Sequence, residues 1–276
     1  MIDNKNSRMK LAFSTLGCPE WRFGEILSTA KDLGYDGIEV RGIGKEIFAP
    51  KIPQFTDEKV EETKKQLRDI AIEIPCLAAD SMIHLPHFAD HSKASIRKYI
   101  KVAQAIGTPY VRLLSDMPNP HPTAPVDVVF MKDVAQELAE DAKAAGVTLL
   151  LESHGWFTDT QRLARLLEDI ASPFVQALWD VHHPYRYGGE SAEDTIANIG
   201  SYIKHTHFKD SLMVDEKPKY MMMGYGDLPL ESFIEALRGM GYQGYYCLEW
   251  VRRWDLTLEV PGIAFDNYIN YMNRYK

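Results

Sequence analysis

The feature that most constrains this chain is the regular recurrence of short strand-like runs, rich in apolar or aromatic residues, that end in a metal-capable side chain, with a helix-length segment between them. Four such runs lie between Leu149 and Trp250: Leu149-Leu150-Leu151-Glu152, Leu178-Trp179-Asp180, Lys204-His205-Thr206-His207 and Tyr245-Tyr246-Cys247-Leu248-Glu249. Glu152, Asp180 and His207 are 28 and 27 positions apart. That spacing is close to the roughly 30 residues of one strand-plus-helix unit in a barrel of about 250 residues. One potential ligand therefore arrives per repeat.

The same alternation extends toward the N-terminus. Leu11-Ala12-Phe13-Ser14 reads as a first strand and Phe23 to Leu33 as an amphipathic helix closed by Gly34, the usual C-terminal cap. Gly37 to Arg41 is a second strand. Thr56 is an N-cap candidate for a charged helix running to about Ile72. Cys76 to Leu85 holds a third strand, Ser92 to Ala105 a helix stopped by Gly107, and Tyr110 to Leu114 a fourth strand. Pro118, Pro120, Pro122 and Pro125 form a loop and not a domain linker, because the alternation resumes at once with a helix from Val128 to Ala145. Helices from Thr160 to Ile170 and from Ala192 to Ile199 separate the later strands. Eight such units predict an α/β fold, a closed (β/α)8 barrel spanning residues 9–276 as a single domain behind a loose leader, residues 1–8. An open doubly wound sheet is the competing fold. It calls for a Gly-rich phosphate loop after the first strand, which Ser14-Thr15-Leu16-Gly17-Cys18-Pro19 is not.

The net charge of −8 is spread over both halves without a basic run, which argues against nucleic acid and anionic membranes as partners. No stretch approaches the roughly 18 apolar residues of a membrane span, and the N-terminus has no apolar signal core. Cys18, Cys76 and Cys247 form no Cys-x-x-Cys pair, so a reducing, cytoplasmic setting is expected. A small-molecule substrate fits these limits.

Three carboxylates converging on one barrel mouth would repel one another and raise each other's pKa, a cost that a divalent cation removes. Glu152, Asp180, His207 and Glu249 make a mostly hard, oxygen-rich set. It suits one divalent ion, Mn²⁺ or Mg²⁺ foremost, with Zn²⁺ and Co²⁺ also compatible, and leaves positions open for substrate oxygens.

Glu152, Asp180-x-x-His183, His207-Phe208-Lys209-Asp210, Gly224-Tyr225-Gly226-Asp227-Leu228-Pro229 and Leu248-Glu249 together resemble the xylose-isomerase-like barrels. The group they resemble is the sugar phosphate isomerase/epimerase family, which includes ketose 3-epimerases, hydroxypyruvate isomerase, inosose dehydratase and endonuclease IV. The resemblance runs from Leu11 to about Trp254. It implies that the four residues are metal ligands and that His183 contacts substrate oxygens beside the metal. It also implies that Glu152 and Glu249 are an acid–base pair facing opposite sides of a bound ketose. The implied activity is a divalent-metal-dependent isomerase or epimerase of a small sugar, keto acid or sugar phosphate, moving a proton through a metal-bound enediolate. An inosose-type dehydratase is the alternative within enzymes, and a sugar- or metal-binding barrel without catalysis is the alternative outside them.

Further candidates for substrate contact are His154, Lys209, Arg252 with Arg253, and His84, each with an ordinary structural reading beside it. Lys209 equally suits a pairing with Asp210, and the two arginines equally suit a solvated pair. Arg41 and Arg112 end strands and are candidates to line the pocket; Trp21, Trp156, Trp250 and Phe88 are candidates for an apolar wall. Two departures matter. Endonuclease IV needs an extra His at strand four and an Asp-x-His after strand seven, where this chain has Arg112-Leu113-Leu114 and Asp227-Leu228-Pro229. The ketose 3-epimerases carry a further Glu where this chain has Thr158, so a free ketohexose is not implied. The stretch from Met213 to Gly226 widens the gap between His207 and Glu249 to 42 positions and suits a cover over the site or a subunit contact; barrels of this kind often form homodimers.

Overall fold

The computed structural model describes residues 8–116 and 125–276. Residues 1–7 of the leader, and Pro118, Pro120 and Pro122, lie outside the described residues. Eight parallel strands form the sheet: β1 (Lys10–Ser14), β2 (Gly37–Glu39), β3 (Cys76–Met82), β4 (Tyr110–Leu114), β5 (Thr148–Glu152), β6 (Val175–Asp180), β7 (Ile203–Phe208) and β10 (Tyr245–Leu248). The hydrogen-bonded order is β2-β1-β10-β7-β6-β5-β4-β3. The two ends of that list meet through isolated parallel bridges, Gly37 with Glu73 and Val40 with Leu77. Val40 N donates to Cys76 O at 3.1 Å and Ala78 N to Val40 O at 2.9 Å, which closes the ring. A (β/α)8 barrel results, as the alternation predicts.

The helices cover the outside: α1 (Phe23–Leu33), α2 (Val60–Ile70), α3 (Ala89–Ile106), α4 (Val128–Ala145), α5 (Thr160–Ile170), α6 (Ala192–Ile199), α7 (Leu230–Gly239) and α8 (Pro261–Met272). α5 shows why such segments are helical. Leu163, Leu166, Leu167 and Ile170 recur at helical spacing and are all buried, so one stripe packs on the barrel. The Asp159 side chain accepts from Gln161 N and Arg162 N, satisfying donors that the first turn cannot pair internally. Among the described residues no helix is long and apolar enough to cross a membrane. The three cysteines are buried and unbridged.

Some boundaries differ from the sequence expectation, for local reasons. Thr56 does not cap α2: its hydroxyl turns back to Pro53 O, and an extra turn carries the chain to a start at Val60. α3 begins at Ala89 and not Ser92, because the short helical turn Pro86–Phe88 feeds directly into it. The widened gap after β7 is a β-hairpin, β8 (Asp210–Val214) and β9 (Lys217–Met221), paired antiparallel. Asp215 and Glu216 at its tip both have positive φ, 48° and 61°, the twist that a two-residue hairpin turn requires. Its base is braced by the Asp210 carboxylate, which accepts from Ser211 N, Gly224 N, Gly226 N and Leu228 N.

Candidate active site

The four strand-end residues do meet. The ligand atoms of Glu152, Asp180, His207 and Glu249 lie within 4.8 Å of one another, and all four residues are buried. Register explains the convergence: Asp180 pairs with His207 across β6 and β7, and Glu249 follows the last paired residue of β10, its N–H bonded to Phe208 O at 2.9 Å. Residues that end adjacent parallel strands point together into the C-terminal mouth.

His207 is the hub. Its Nδ1 stands 3.4 Å from Glu152 Oε1, 3.4 Å from Glu249 Oε1 and 4.0 Å from Asp180 Oδ2. Its Nε2 is 2.8 Å from Glu39 Oε2, which His205 Nε2 also approaches at 3.1 Å. Glu39 and both histidines are fully buried. A carboxylate on Nε2 fixes the proton there and leaves the Nδ1 lone pair for a cation. Glu39 was not among the sequence candidates. The signal was present as a carboxylate inside the apolar run Gly37-Ile38-Glu39-Val40, but nothing in one strand shows which distant histidine it meets.

Two cations answer the carboxylates. Arg112 Nε and Nη2 reach Glu152 Oε2 at 2.6 and 2.5 Å, and Nη1 holds Ala79 O at 3.0 Å. Lys209 Nζ is 2.6 Å from Asp180 Oδ2 and also pairs with Glu249 Oε2. Lys209 thus pairs with these two acids and not with Asp210, whose carboxylate serves the hairpin. Burial alone would raise every carboxyl here. Arg112 and His207 outweigh it at Glu152 and hold that group well below the usual range. Lys209 and His207 likewise keep Glu249 low. At Asp180 burial wins, helped by Glu152 and Glu249 against Lys209, and the carboxyl is pushed up to about 6. Burial pushes His207 down, but Glu39 and Glu249 reverse this and raise it well above its ordinary value. Burial and Lys209 hold His183 well below its own, as a neutral imidazole.

This donor set fits a divalent cation. Once His207 gives up its proton to act as a ligand, Glu39, Glu152, Asp180 and Glu249 carry four negative charges, and Arg112 and Lys209 return two. The remaining two are what such an ion supplies, and buried charges need that compensation.

Above the cluster opens a cavity of about 520 Å³, whose walls include Glu152, Glu249, His154, His183, Lys209 and Tyr220. His154 is held by Asp116, its Nδ1 3.2 Å from Oδ1, while Asp116 also accepts from Trp156 N. Gly155 permits this: its φ is +54°, and a Cβ there would run into the Asp116 carboxylate. Tyr220 comes from the hairpin, so the stretch after β7 does serve as part of the wall. Sequence reading missed Tyr220, Asp116 and Trp254, which also lines the cavity.

Three sequence candidates, Arg252, Arg253 and His84, do not line the cavity; Arg253 instead donates from Nη2 to Gly44 O at 2.8 Å. Arg252 leaves β10 on the outward turn, and its guanidinium bonds Leu256 O at 2.8 Å and Leu258 O at 2.5 Å, with Glu20 at 3.8 Å. It is a loop brace. His84 is buried and is not among the residues that line the cavity, and neither ring nitrogen has a hydrogen-bond partner among the described residues. The proposed aromatic wall also fails. Trp250 is buried with its Nε1–H on Glu259 O, Trp21 packs on Phe265, Trp156 lies under Arg162, and Phe88 is exposed.

A model of the xylose isomerase-like TIM barrel family matches residues 27–265. Over 254 residues the chain is 24% identical to the fructoselysine 3-epimerase of Shigella flexneri, covering 88% of this chain and 90% of that protein. The probable 3-DHS dehydratase AsbF of Bacillus anthracis superposes with a TM-score of 0.78 at 16% identity, over 96% of this chain and 99% of that one. The D-psicose 3-epimerase of Clostridium cellulolyticum H10, solved with D-tagatose, gives 0.76 at 18% identity, over 97% and 99%. Likeness at these identities is likeness of fold.

Proposed function

The chain belongs to the xylose isomerase-like TIM barrel family, and from that premise we propose that it is a cation-dependent isomerase or epimerase of a small carbohydrate, working by proton transfer beside a carbonyl. The observation that carries this reading is the convergence of Glu152, Asp180, His207 and Glu249 on one buried point beneath an open cavity. Likeness to a fructoselysine 3-epimerase supports it.

Glu152, Asp180, His207 and Glu249 would hold the cation, which when bound supplies Lewis acidity to a substrate carbonyl and its neighbouring hydroxyl. Glu152 and Glu249 are the acid–base pair. Both are kept ionised by their cationic neighbours, so either can act as a base at neutral pH. One carboxylate takes the proton from the carbon next to the carbonyl, and the C–H electron pair becomes the double bond of an enediolate. Return of a proton to the other face by the second carboxylate, once it has taken one up from water in the open cavity, inverts the centre; return by the first carboxylate to the neighbouring carbon, with the enediol O–H proton passing to the other oxygen, moves the carbonyl. Lys209 sets its positive charge beside Glu249 and Asp180, where negative charge builds on the substrate oxygens. His183, neutral and on the cavity wall, suits a hydrogen bond to a substrate hydroxyl, and His154, fixed by Asp116, suits a second. Glu39 orients His207 from behind.

The test replaces each base singly. Glu152→Gln and Glu249→Gln should each abolish interconversion of an active ketose pair while circular dichroism shows the fold retained. Activity surviving in Glu249→Gln would remove that residue from the acid–base role.

A further inference from the structure

The positive charges of the cavity are matched on one side and unmatched on the other. Arg112 is committed to Glu152, and Lys209 to Asp180 and Glu249. Arg41 has no such commitment. It also lines the cavity, and the residue is 8% exposed. Among the described residues its side chain makes one hydrogen bond, from Nη1 to Ile47 O at a long 3.4 Å, and no ion pair. Its charged neighbours Arg112 and Arg253 repel it, and the acid that acts on it, Asp80, lies exposed on the same wall beyond ion-pair reach. The guanidinium lies 5.7 Å from the ring of Trp254, which is 61% exposed at the mouth. A guanidinium does not give up its proton, so a buried one without a counter-charge is costly unless a ligand brings that charge. Its open fork fits two oxygens of a carboxylate or phosphate.

Position says which end of a ligand meets it. Around the ring β2 stands four strands from β6 in either direction, so Arg41, just past β2, faces Asp180 across the mouth. The volume of about 520 Å³ accommodates a sugar-sized chain between them. Resting on the carbohydrate reading above, we propose that the substrate is anionic, carrying a carboxylate or phosphate at the end remote from the reacting carbons, and that Arg41 binds that group against Trp254.

The experiment compares neutral ketoses with ketose phosphates and keto sugar acids of matched chain length, using cation-loaded wild-type protein, Arg41→Met and Arg41→Lys. Wild type should prefer an anionic member at least tenfold in kcat/KM. Arg41→Met should lose that preference by on the order of ten- to a hundredfold, mainly through KM, as loss of a charge-assisted contact implies. Arg41→Lys should recover part of it, since charge remains and the fork is gone. Phosphate preferred over carboxylate, or the reverse, identifies the anion; equal kcat/KM for charged and neutral substrates overturns the proposal. Calorimetric titration with inorganic phosphate and with gluconate needs no turnover. Binding to wild type that is weakened in both variants, at unchanged melting temperature, supports the anion site even if no ketose reacts, an outcome that would sink the isomerase reading alone. Binding of neither anion, or equal binding to wild type and Arg41→Lys and Arg41→Met, overturns it. If Arg41→Met does not fold, Arg41→Lys carries the same comparison.

Discussion

Replacing Glu39 by Gln should weaken cation binding without touching any of the four candidate ligands. The carboxylate sits 2.8 Å from His207 Nε2 and 3.1 Å from His205 Nε2, with all three residues fully buried, so water cannot substitute for it. A neutral amide keeps the volume and removes the charge. Its NH₂ can also face Nε2 and favour the tautomer whose proton points at Glu152 and Glu249, where the cation must bind. Loss of a carboxylate behind a ligating histidine costs about 10- to 100-fold in affinity, which is roughly 1.4 to 2.7 kcal/mol. The net value of a hydrogen bond to a charged group, about 1.5–3 kcal/mol, gives the same range independently. The assay is competition against a fluorescent chelator for Zn²⁺ and for Mn²⁺ at fixed pH, with near-ultraviolet circular dichroism to verify packing. An affinity within twofold of wild type, in a folded Glu39→Gln protein, would refute the argument that Glu39 sets the ligand state of His207.

Cation affinity should climb with pH by about two decades per unit below pH 6 and by about one above it. Below about 6 both Asp180 and His207 must lose a proton to bind, while above it only His207, raised well past its ordinary value, still must; a flat profile from pH 5 to 8 in the chelator assay would exclude this. Gly155→Ala should destabilise the protein by more than about 1 kcal/mol, because the backbone is left-handed there and Asp116 fills the side-chain space; an unchanged urea midpoint would contradict it. Asp159→Ala should cost about 1 kcal/mol by leaving the first turn of α5 uncapped, read as a melting temperature roughly 2–4 °C lower.

How much of this was legible in the chain depended on whether the signal was periodic. The barrel and the convergence of Glu152, Asp180 and His207 follow from a repeat of constant length, since equal units place equivalent positions at one rim. Glu39 ends a short strand whose partner residues are far away in sequence, and closure of the barrel is what brings it to His207; Arg41, just past that strand, was readable as a pocket residue, but its lack of a counter-charge was not. Arg252 misled because its nearness to Glu249 in sequence ends with the strand: one turn later the chain runs outward, and its guanidinium serves loop carbonyls. The hairpin after β7 announced itself as extra length, but its contribution of Tyr220 to the wall depends on the brace at Asp210, a contact set by folding.

The most direct measurement is proton exchange in deuterated water, followed by NMR across ketoses, ketose phosphates, keto sugar acids and inososes, with metal-stripped and Mn²⁺-reconstituted protein side by side. The account predicts deuterium entering next to a carbonyl only in the reconstituted sample, with inversion marking an epimerase, carbonyl migration an isomerase, and loss of water a dehydratase instead. Exchange of equal rate in the stripped protein, or a reconstituted protein that retains no metal through gel filtration, would contradict it.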